Sequence, residues 1–185
     1  MDYVLWENEK SEGDAFIYSG WPQHVAISFY TGDRLVDPVP EIVITMNDRS
    51  QGRLTDDVLL TGRGRVFSKQ LLQVLRESGV DNIDTYPCVI RNLITGEVHK
   101  NYSVVNIIGK IACIDRAQSE LVFATGSTDD ILGYDSIVLG ERKIGGARLF
   151  LLAEMPVQIV AHRSVAEAIT AAGMTGIEFV SQDTD

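Results

Sequence analysis

Two cysteines and three histidines are all that this 185-residue sequence offers of the side chains that most often hold a zinc ion. Cys88 and Cys113 each sit in an apolar, strand-like run, and His24, His99 and His162 are scattered, so no zinc spacing occurs. A buried free cysteine behaves as a small hydrophobe, and in a reducing compartment the pair is not expected to form a disulfide. Apolar runs are interrupted well before 18 residues, which argues against a membrane-spanning helix. The first ten residues are acidic where a secretory signal would be basic, so a cytoplasmic location is the expectation. Positive charge is also scarce: 16 Lys and Arg stand against 26 Asp and Glu, a net charge of −10. That balance repels nucleic acid and anionic membrane. It suits either a basic protein partner or solubility alone. The sequence has no G-x-S-x-G, H-E-x-x-H or phosphate-binding loop.

What is present is a core. Apolar residues make up 45% of the chain and charged residues 23%, as expected for one globular domain spanning 1–185. Residues 3–6, 24–30 and 41–45 read as strands, with a polar loop at 47–53. Thr55, Asp56 and Asp57 look like the start of a short helix, the aspartates favoured by the helix dipole. A strand at 65–67 leads through Ser68 into a helix with Leu71, Leu72, Val74 and Leu75 on one side, stopped by Gly79. Residues 83–91 predict a strand in which Pro87 signals an edge or bulge. A hairpin turn follows at 94–97. Residues 102–115 are rich in β-branched side chains and read as one long central strand, with Gly109 hinting at a bend. Residues 121–124, 137–139 and 149–152 continue the β content, and 126–130 form a loop.

The segment from Ile144 to Val180 reads as strand, turn, strand, short helix, glycine stop and strand. Ser164 to Glu167 fits a capping box, and Val165, Ala168, Ile169 and Ala172 fit a buried stripe. This unit echoes the one before it: Gly79 and Gly173 are 94 positions apart, and Val66, Leu75 and Ile83 fall on Val160, Ile169 and Ile177. In the echo His162 occupies the helix-entry place of Ser68, which suggests a cap or surface role.

Few residues suggest chemistry. His24 and His99 could act as bases, but neither has a nucleophile nearby in sequence. Asp56 with Asp57, and Asp129 with Asp130, could pair on a metal; a helix start and a solvated loop account for them as well. Gly62 to Arg65 resembles a Gly/Arg RNA-binding segment, but in so acidic a chain a turn with two solvated arginines fits better. Asn101 to Ser103 matches a glycosylation acceptor without the secretory signal that would use it. Trp6, within a strand, is assigned to the core, whereas Trp21 stays open.

Four stretches carry a family resemblance. Asp56 to Leu60 precedes the run from Val66 to Gly79. Tyr86 to Ile90 opens the next strand. Tyr102 to Gly109 leads through Cys113 and Asp115 to Ser119. Arg148 to Phe150 leads to Ile159 and Val160, and on to the run from Ala172 to Val180. In order and spacing the segment from Leu54 to Val180 resembles immunity protein family eleven of bacterial polymorphic-toxin systems. His162 departs from the serine expected there, and Leu151 to Ala153 replace a more basic stretch. Residues 1–53 match poorly and are expected to be specific to this member.

The expected fold is α+β: a mixed or mostly antiparallel β-sheet system with two principal helices, read also as two similar strand–helix–strand units. The resemblance implies a non-enzymatic, cofactor-free protein that binds and neutralises a cognate toxin, a basic one if charge steers the pair. It supplies no catalytic, cofactor, metal or partner-binding residue to carry over. Two other readings stay open. One is a hydrolase or small-molecule binder with a dispersed site around His24, His99 or Asp115; the other is a structural or oligomerisation module.

Overall fold

Alternation of apolar side chains decides the architecture. In the computed structural model, which describes residues 2–182, the chain forms β1 (Tyr3–Asn8), β2 (Ile42–Met46), β3 (Arg65–Ser68), α1 (Lys69–Glu77), β4 (Ile83–Asn92), β5 (Val98–Ile107), β6 (Lys110–Ile111), β7 (Glu120–Phe123), β8 (Ile131–Ser136), β9 (Leu149–Leu152), β10 (Ile159–His162), α2 (Arg163–Ala171) and β11 (Ile177–Ser181). The first sheet has the order β11-β1-β10-β9-β6, the second β2-β4-β5-β3, and β7 pairs with β8 alone. The β2–β4 and β6–β9 pairs are parallel and the others antiparallel. The fold is α+β, as the sequence predicts.

Successive strand residues point to opposite faces, and here strands of both larger sheets bury side chains on both faces. In β1, Val4 and Trp6 enter a central core while Tyr3 and Leu5 enter a second one behind the sheet; in β9, Leu149 and Leu151 part from Phe150 and Leu152 in the same way. In the second sheet Phe67 and Val105 face the central core, and Val66 and Val104 face a third core on the far side. Both helices lie in the central core, α1 through Leu71, Leu72 and Leu75, α2 through Val165, Ala166 and Ile169. Each fully buried leucine or isoleucine there contributes about 1.5–3 kcal/mol.

The internal echo is structural. α1 and α2 are nine residues each, start 94 positions apart, and end at Gly79 and Gly173 with φ of 82° and 67°. At the entries Ser68 and His162 hold the same extended backbone. Here the capping-box reading of Ser164 is corrected. His162 is the cap, its Nδ1 accepting from the Ser164 N–H at 3.2 Å, and Ser164 already lies inside the helix. The buried stripe is Val165, Ala166 and Ile169, whereas Ala172 is exposed.

Four further expectations fail for definable reasons. Residues 24–30 form no strand. Val25 and Phe29 are buried as alternation suggests, but the Phe29 N–H donates to the Arg63 carbonyl in a loop-to-loop contact. Residues 55–60 form no helix: the Asp56 and Asp57 N–H groups both donate to the Thr175 carbonyl, and the Val58 N–H to that of Val66. The long strand at 102–115 is two. At Gly109, φ 108° lets the chain leave the second sheet after β5 and join the first as β6. Residues 137–139 make only a bridge at Leu139, whereas β8, unexpected from its Gly133 and Asp135, is a strand. Pro87 sits in β4 before Cys88, where pairing with β2 begins, so it costs no bond to β2.

Candidate functional site

The residues singled out for chemistry are not brought together. His24 is exposed, its Nε2 3.0 Å from the Glu41 carbonyl beside β2. His99 lies in β5, opposite Ile90, near the β4–β5 turn. Asp115 follows β6, and its carboxylate accepts from Gln118 and the Ala117 N–H, bonds that hold it below the usual carboxylate range. Asp129 is in an exposed loop and pairs with Arg116 at 3.3 Å. Among the described residues no group of three or more His, Cys, Asp or Glu side chains could hold a metal ion. Cys88 and Cys113 are free and buried, and burial pushes each thiol up to about 12.

The strongest electrostatic feature is internal. Asp57, expected at a helix start, is fully buried and ion-paired with Arg65, expected in a solvated turn. Arg65 Nε donates to Asp57 Oδ1 at 3.2 Å, and Trp6 Nε1 donates to Oδ2 at 3.0 Å. Burial pushes the Asp57 carboxyl up, against the pull of Arg65 and these hydrogen bonds. Trp6, stacked on Phe67 at 5.3 Å, belongs to the core as expected. The group joins β1, β3 and the 55–60 segment. Asp56 extends it, accepting from Ser68 Oγ at 2.6 Å and from the Thr175 N–H at 3.0 Å. Trp21 is half-buried against the third core, and its Nε1 donates to the Val25 carbonyl at 3.1 Å.

An open cleft of about 540 Å³ lies at the start of α2, lined by Asp2, Tyr3, Glu141, Arg142, Arg148 and His162. Several of its polar groups are already engaged. The Asp2 N–H donates to Glu141 at 2.8 Å, Arg148 reaches the Ser78 carbonyl at 3.3 Å, and His162 caps the helix. His24, His99 and Asp115 are not among its walls.

Two apolar surface patches contrast with these satisfied groups. One is the β4–β5 tip, where Leu93, Ile94 and Val98 are exposed. The other is the β7–β8 ribbon. Its inner side chains Leu121, Ile131 and Tyr134 pack on the core behind the first sheet, and the Tyr134 hydroxyl donates to Glu7 at 2.7 Å. Its other side leaves Val122 44% and Leu132 70% exposed, while Phe123, paired with Ile131 at the end of the ribbon, is 36% exposed. Sequence reasoning missed this surface. The available signal was that residues 120–136 hold four carboxylates and no cationic side chain around several apolar residues.

A family model described as the Immunity protein family (Imm11) matches residues 5–184. The comparison with curated proteins gives no match. The matched span reaches from β1 through β11 and so takes in both sheets, both helices and the β7–β8 ribbon. The chain belongs to the Imm11 immunity protein family.

Proposed function

We propose that this protein is a cytoplasmic immunity protein that neutralises the toxin of a bacterial polymorphic-toxin system by binding it and covering its active surface. Membership of the Imm11 family over residues 5–184 is the observation that carries this reading. Charge supports its finer part: a molecule of net charge −10 would be drawn to a basic toxin and guided to it. That the chain acts as one unit is supported by β1, which sits between β11 and β10 and ties the N-terminal residues to the last strands.

The test is co-expression with the toxin domain encoded by the adjoining gene. Cells making both proteins grow, cells making the toxin alone die, and the two proteins co-purify. Death at the same rate with and without this chain, and no complex on co-purification, would sink the proposal for that pair.

A further inference from the structure

Among the described residues no strand-pairing ladder joins the β7–β8 ribbon to either larger sheet, and its Tyr134 reaches β1 only through a side-chain hydrogen bond to Glu7. A two-stranded ribbon alone is marginal in water, and this one is held by Leu121, Ile131 and Tyr134 on its inner side. That packing does not account for the other side. Leu132 is 70% exposed, and Val122 adds apolar surface on the partner strand. Such surface, rimmed by polar groups, is a recurring mark of protein interaction sites.

Charge separates this surface from the other apolar patch. Leu93, Ile94 and Val98 at the β4–β5 tip lie near Arg91 and Lys100 in sequence, with Glu97 of opposite sign. The ribbon carries Glu120 and Asp135 on its strands and Asp129 and Asp130 in its loop, and no lysine, arginine or histidine from 120 to 136. Within this loop Asp129 is paired with Arg116. A cationic protein surface would gain from every unpaired carboxylate of the ribbon while covering its apolar side chains. At the β4–β5 tip the same surface would meet two like charges.

We infer that the exposed side of the β7–β8 ribbon is the docking surface for the toxin, which meets it with a cationic face carrying an apolar contact. This inference rests on the immunity reading above. Leu132 is the central apolar contact, with Val122 beside it, and the carboxylates orient the approach.

The experiment uses the full chain and the purified toxin domain encoded by the adjoining gene. Leu132→Arg places a cation in the contact at a position too exposed to disturb folding, and should weaken binding by about 30-fold or more. Charge reversal at Asp130 and Asp135 together should slow association about tenfold at low salt. Leu93→Arg, at the other tip, should bind within about twofold of the unaltered chain. Hydrogen exchange needs no substitution, and on complex formation amides of 120–136 should exchange more slowly. If the unaltered chain binds while both ribbon variants match it and exchange at 120–136 is unchanged, the ribbon is not the docking surface and the immunity reading stands. A loss confined to Leu93→Arg moves the contact to the β4–β5 tip and overturns the inference. If the unaltered chain neither binds nor protects, the immunity reading falls and this inference with it.

Discussion

Asp57 accepts hydrogen bonds from Arg65 and from the Trp6 indole with no exposed surface of its own, so each partner exists at the others' expense. Removing one member of a buried ion pair strands the other in a low-dielectric interior, whereas replacing both with apolar groups can be near neutral. Asp57→Ala should therefore cost about 3–5 kcal/mol. The double variant Asp57→Leu with Arg65→Met should lose clearly less than the two single changes summed, a coupling that urea denaturation of the four proteins measures. Strict additivity would show that the pair is not coupled. The buried thiols give a pH test of opposite character. Cys88 and Cys113, ionising near 9.0 when unfolded, stay protonated in the fold until about 12, and Tyr102, with an ordinary value of 10.0, is raised by burial to about 12 as well. Raised acids make the native state the better proton holder. Their contribution is complete below pH 9 and is lost as pH rises toward 12. The melting temperature should fall progressively above pH 9, and both thiols should react slowly with a disulfide reagent at pH 8. A melting temperature flat from pH 8 to 11 would contradict this.

At the scale of elements, the two strand–helix–strand units were the most legible part of the chain. Helical periodicity and a glycine stop are local signals, and Leu71, Leu75, Gly79, Ile169 and Gly173 carry them without help from tertiary structure. The entry of α2 was misread because serine is a common cap and histidine a rare one. The internal echo, which sets His162 on the place of Ser68, points to the cap that the backbone geometry shows there. The two caps should differ in weight. Ser68 is buried and bonds both to the Leu71 N–H at 3.0 Å and to Asp56, so Ser68→Ala should cost about 1–2 kcal/mol. His162 is partly exposed and also packs edge-on against Tyr3 at 5.3 Å. His162→Ala therefore loses a ring contact and a cap, whereas His162→Asn loses the ring but keeps a capping oxygen. Asn should be the more stable of the two by about 0.5–1 kcal/mol in chemical denaturation; an alanine variant as stable as the asparagine one would remove the cap from the account. What stayed illegible depends on distant partners. Nothing local tells Leu121, packed inward, from Leu132, exposed on the paired strand, and a β-branched run cannot announce that it changes sheets at Gly109.

At the scale of the whole molecule, the described residues form a stack in which two sheets, with strands that bury side chains on both faces, enclose a helix-bearing core, while the ribbon and the hairpin tips stand outside it. Net charge belongs to this scale, since it was readable from composition and does not depend on which loop carries it. For the proposed complex with a basic toxin, a charge of −10 acts over distance, before any contact forms, and so governs the rate of encounter. Salt shortens that reach: the screening length is about 8 Å at 0.15 M and about 3 Å at 1 M. Short contacts inside the formed complex are shielded far less, because water and ions are displaced from them. The two rate constants should therefore separate. Raising NaCl from about 0.05 to 0.5 M should slow association about tenfold or more. Dissociation should change little over the same range, as measured by surface-immobilised kinetics with the purified toxin domain. An association rate indifferent to salt would leave the contact surface intact and remove steering from the mechanism. A dissociation rate that climbs steeply with salt would instead place the electrostatic contribution in exposed contacts at the rim of the complex.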